Sequence, residues 1–76
     1  MSNGIIEGFL TGRADAAWRY ACTEENGTAA RMWLLAAAAY QEALAEYIKN
    51  GDSQAVKDLT AGAMDAGDDA LKAGRN

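Results

Sequence analysis

Histidine and proline are absent from this chain, and cysteine and phenylalanine occur once each. Without histidine, and with Cys22 as the sole thiol, neither an ordinary zinc site nor a haem site can be assembled. No metal and no cofactor is therefore expected. Cys22 cannot close an internal disulfide, and a lone thiol is compatible with a reducing cytosol. As a nucleophile it would want a histidine base or a cationic setting, whereas its charged neighbours in sequence are Glu24 and Glu25. Nothing else forms a catalytic constellation, so no enzyme activity is expected.

Basic charge is also scarce. Seven lysines and arginines face eleven acids, for a formal net charge of −4. The basic residues are scattered among acids, and a nucleic-acid surface needs them gathered into one field. Long apolar runs are missing too. The longest, Met32–Tyr40, falls far short of the roughly 20 residues that span a bilayer. No basic segment precedes an apolar stretch near the N-terminus, which argues against a secretory signal. The expectation is a cytoplasmic protein that binds neither nucleic acid nor membrane.

What the chain does have is alanine, leucine, glutamate and lysine with no proline to interrupt them, a composition that favours helix. Two breaks divide it. "ENGT" places Gly27 where a helix C′ residue sits and Thr28 as the next N-cap; "NGDS" does the same with Gly51, then Asp52 or Ser53. The reading is all-α: one domain over residues 1–76, with helices near 4–25, 29–50 and 53–74. The second and third form a hairpin and the first is less regular.

Helical phase orients each segment. The second helix gathers Trp33, Ala36, Ala37, Tyr40, Ala43, Leu44, Tyr47 and Ile48 on one face, with Arg31, Glu42 and Lys49 opposite. The third gathers small residues (Ala63, Ala66, Gly67, Ala70) with Val56, Leu59, Thr60 and Gly74, flanked by Met64 and Leu71. That thin stripe suits large side chains from the second helix. In the first helix Ile6, Phe9, Leu10, Ala17, Tyr20 and Ala21 share a face, with Arg13 projecting from its middle and Trp18 on the other side.

The acidic run of the third helix is no metal site by this reading. Asp65 and Asp69 face outward, and di-metal bundles use inward glutamates with histidine. "DSQAVKDL" lacks the ligand alternation of a calcium loop, and "GAMDAG" follows no strand as a phosphate loop would.

Five residues stand out as candidates for partner binding: Arg13, Trp18, Arg19, Leu34 and Leu35. Arg13 can simply lay its stem on apolar neighbours, or it can receive a carboxylate or other anion in an interface. Trp18 is of the type enriched at binding hot spots. Leu34 and Leu35 fall on opposite flanks of the Trp33 face, and a third helix is available for one flank only. A 76-residue core is marginal, and with disulfide and metal unavailable, self-association is the remaining supplement. A homodimer through the uncovered leucine flank is expected.

The stretch "LLAAAAYQEALAEY", Leu34 to Tyr47, resembles the start of the second helix of type III secretion needle subunits. That resemblance implies a self-assembling helical hairpin. Those subunits carry a proline-containing turn before this helix, and this chain has none; Gly51 also interrupts the helix. Three functions follow as expectations. The first is a non-enzymatic acidic module that regulates or inhibits a larger, unidentified protein, in the manner of small viral accessory proteins. The second is an assembly subunit. The third is a receptor for a small anion such as a nucleotide, built from Arg13, Arg19 and aromatics at a subunit junction.

Overall fold

The computed structural model describes residues 2–74, with side chains from Gly4 onward. The described residues form three α-helices: α1 (Ser2–Thr23), α2 (Gly27–Asn50) and α3 (Gln54–Gly74). Short turns make successive helices antiparallel, so α1 and α3 run the same way. Ile6 and Phe9 accordingly lie beside Asp52 and Val56, and Tyr20 beside Leu71.

The helix boundaries follow from capping. Asn26, not Thr28, is the N-cap of α2. It adopts an extended backbone (φ −77°, ψ 117°), and its Oδ1 accepts from Ala29 N at 2.9 Å. Gly27 therefore begins a helix rather than ending one. Among the described residues only Gly51 has positive φ, at 77°. It ends α2 as expected, donating its N–H to the Tyr47 carbonyl at 2.8 Å. Ser53 rather than Asp52 caps α3: its Oγ accepts from Val56 N at 3.4 Å and its carbonyl from Lys57 N at 3.2 Å.

Asn26 does more than cap. Its Nδ2 donates to the Ala73 carbonyl at 3.4 Å, and its N–H donates to Glu24 Oε1 at 3.1 Å. The end of α1, the start of α2 and the end of α3 thus meet at one residue. Its side chain satisfies a terminal N–H of α2 and a terminal carbonyl of α3 that those helices would otherwise leave unpaired.

The core runs along α2. Ala36, Ala37, Tyr40, Ala43 and Tyr47 are buried against Leu10, Ala14 and Ala17 of α1 and Val56 and Ala63 of α3. The packing of α2 on α3 is the most extensive in the molecule; α1 packs on α2 slightly less, and α1 and α3 scarcely approach each other. The small stripe of α3 works as its composition implies. Ala63 and Ala70 are fully covered, and a Cβ at Gly67 would sit only 3.3 Å from Trp33 Cζ3. Glycine at 67 is what allows the indole and the α3 backbone to touch.

Three details of phase differ from expectation. The inward seam of α1 is Ile6, Leu10, Ala14, Ala17 and Ala21, while Phe9 and Tyr20 lie at its edge, half exposed. Ala14 and Ala17 carry the contact because small residues let the α1 and α2 backbones come close. Arg13 then falls beside the seam, not in its middle. Ile48 is exposed, because Tyr47 occupies the inward position at that turn and Ile48 lies about 100° beyond it. Finally, α1 covers neither leucine flank: Leu34 is 43% exposed and Leu35 58%. Both neighbouring helices pack on the face centred near Tyr40, so a residue well to either side of Trp33 escapes both.

Candidate functional site

With α1 and α3 each docked on α2 and not on each other, a cleft runs between them. Trp33 explains why it stays open. Its ring stacks on Tyr20 of α1, centroids 4.7 Å apart at 32°, and its far edge meets Gly67 of α3. An indole spanning the two outer helices holds them apart, as a smaller residue at position 33 would not. Tyr40, one seven-residue step along α2, continues the floor.

The walls are apolar and partly uncovered. Phe9 and Tyr20 from α1 face Met64 and Leu71 from α3, with exposures from 39% for Met64 to 55% for Tyr20. Leu10, Val56 and Thr60 close the end near the start of α1, where Thr60 Oγ1 donates to the Val56 carbonyl at 2.7 Å and leaves no free hydroxyl proton. Met64 borders both hollows, so the two lie end to end along the cleft. From Phe9 to Tyr20 it runs about 16 Å, at 1.5 Å per residue, or three helical turns.

Charges line the rim. Arg13 lies over Phe9, its guanidinium carbon 5.3 Å from the ring centre, a cation–π contact. Arg13 and Asp68 border the same hollow, yet among the described residues the one ion pair is Arg19–Asp15, at 3.0 Å. The guanidinium therefore has an aromatic support and no carboxylate. Toward the other end, Asp52 and Lys57 flank the cleft.

The five candidates are not brought together. Arg13 belongs to the cleft. Arg19 is exposed on α1, paired with Asp15 four residues earlier, and does not line the hollow that Arg13 borders. Trp18 borders a shallow hollow with Thr11, Asp15 and Gln41 on the outer α1–α2 surface. Leu34 is one of a run on α2 (Leu34, Ala38, Gln41, Ala45, Ile48) at alternating spacings of four and three, so it shares that outer surface with Trp18. Leu35 stands apart, toward the opposite flank. The cleft residues Phe9, Tyr20, Met64 and Leu71 are the ones that helical phase alone did not single out as exposed, although Met64 and Leu71 stood at the edges of their stripe.

Among the described residues no group of cysteines and carboxylates is arranged to hold a metal ion, and no helix is long and apolar enough to cross a membrane. No protein-family model matches the chain, and neither a curated protein nor a solved structure is significantly similar to it.

Proposed function

We propose that this chain is a non-enzymatic protein-binding module whose α1–α3 cleft receives an amphipathic helix of a larger protein. The observation that carries the proposal is the cleft itself: two helix edges left unclosed, with Phe9, Tyr20, Met64 and Leu71 half exposed over an aromatic floor. An apolar helix laid between them would complete a four-helix arrangement, covering side chains that the three-helix unit leaves in water. Helix-in-groove recognition uses this geometry, with anchors at i, i+3, i+4 and i+7. Masking such a helix would regulate or inhibit the protein that owns it.

The small-anion reading is less favoured. The hollow beside Arg13 is about 270 Å³, just below the usual range of ligand pockets, and Asp68 in its wall would repel an anion that brings no cation of its own. A second copy of the chain is the competing occupant of the apolar surface, and the expected homodimer is a proposal of the same kind, resting on Leu34 and Trp18.

The test is selection from a displayed library of 20-residue amphipathic helices on the intact protein. Binders should lose affinity for Leu71→Glu and Met64→Glu variants, while Leu35→Glu, on a different surface, leaves them unaffected. Absence of binders, or binders indifferent to both cleft substitutions, would overturn the proposal.

A further inference from the structure

Resting on the cleft as a helix-binding site, we infer that its occupant carries a carboxylate on its apolar face, opposite Arg13, and a basic residue about one turn away, opposite Asp68. The inference begins from two opposite charges that share one hollow without being bonded to each other. Arg13 comes from α1 and Asp68 from α3. Met64 lies four residues before Asp68 and borders both ends of the cleft, whereas Asp68 borders only the end that holds Tyr20 and Leu71.

An apolar helix entering the cleft would strip water from both groups. A guanidinium can be desolvated at tolerable cost only if a carboxylate replaces the water, and its planar fork suits a bidentate carboxylate. The cation–π contact with Phe9 supports one face of the guanidinium and leaves the edge donors for that purpose. Asp68 makes the converse demand. A lysine or arginine on the same helix, three or four residues from the acid, projects from the same face and meets it. Lys57 and Asp52 at the far end border a separate hollow and are exposed, so they bear on the rim of the site.

Electrostatic complementarity of this kind fixes register and excludes wrong partners more than it adds raw affinity. An apolar cleft of alanine, methionine and aromatic side chains would otherwise accept any greasy helix in several registers. Arg13 and Asp68 allow one.

The experiment uses the binders selected above. A parent peptide that depends on Leu71 and Met64 is made with Glu, Gln or Lys at each apolar-face position in turn. At one position Glu should bind wild-type protein on the order of fivefold to tenfold more tightly than Lys, the size of a favourable pair exchanged for a repulsive one. In Arg13→Glu protein the order should reverse at that same position, and in Arg13→Met the three peptides should converge. Since Arg13 is exposed and outside the core, both variants should keep the wild-type circular-dichroism spectrum. A cleft-dependent peptide whose affinity is indifferent to charge at every position, or whose preference survives Arg13→Glu, would overturn the inference while leaving the cleft proposal intact. Failure to obtain any cleft-dependent peptide would overturn both.

Discussion

Two glycines of α3 make opposite demands on a side chain. Gly67 faces Trp33 at a distance that leaves no room for a larger neighbour, whereas a Cβ at Gly62 meets nothing within 4 Å. Gly67→Leu should therefore overpack the α2–α3 seam and cost roughly 1–3 kcal/mol, even though leucine favours helix. Gly62→Ala should stabilise by about 1 kcal/mol through helix propensity alone. Denaturant melts of the two variants decide the matter, and equal midpoints would mean that α3 is rotated from the orientation described. Asn26→Ala removes an N-cap and a bond to α3 together, and the expected loss is about 1–2 kcal/mol in the same assay.

At the level of the helix, α1 is the element with least to hold it. Gly4, Gly8 and Gly12 each face open space, and its only extended contact is with α2. Glycine in a helix interior costs about 1 kcal/mol relative to alanine, so Gly8→Ala and Gly12→Ala should each raise the melting temperature. Amide exchange should be faster in the first two turns of α1 than around Ala36–Ala43, and the substitutions should narrow that gap. The irregularity of α1 was legible in its glycines, and the faces of α2 and α3 in their apolar spacing. The seam of α1 was not. Helical phase ranks residues by hydrophobicity, so Phe9 and Tyr20 looked central and Ala14 looked incidental. Close backbone approach rewarded the alanines instead and turned the aromatics to the edge. The Asn26 junction was equally hidden, because "ENGT" suits a glycine stop as well as an asparagine start, and it is the bond from Ala29 N to Asn26 Oδ1, with no positive φ at Gly27, that distinguishes them. The cleft comes from α1 and α3 both docking on α2 around Trp33, and a sequence read one helix at a time has no means of showing it.

For the molecule as a whole, the question is which apolar surface meets another chain. Leu34 and Leu35 are both exposed, so glutamate at either should change stability by no more than about 0.5 kcal/mol. If copies pair through the Trp18–Leu34 surface, Leu34→Glu should lower the sedimenting mass with the circular-dichroism spectrum unchanged, and Leu35→Glu should not. Wild-type protein that stays monomeric at high micromolar concentration would remove the dimer and leave that surface without this role.

The order of packing, α1 on α2 on α3 with the outer two barely in touch, also has a thermodynamic consequence. Opening α1 breaks one helix interface, the less extensive of the two, so α1 is expected to open before the α2–α3 hairpin. A helix seated in the cleft would touch both outer helices at once and cross-link them non-covalently. Ligand binding and the closure of α1 then become one linked equilibrium. At 100 times its dissociation constant a bound helix stabilises the folded form by about 2.7 kcal/mol, and here that increment would fall on α1 first. The α2–α3 interface, the more extensive of the two, would gain less.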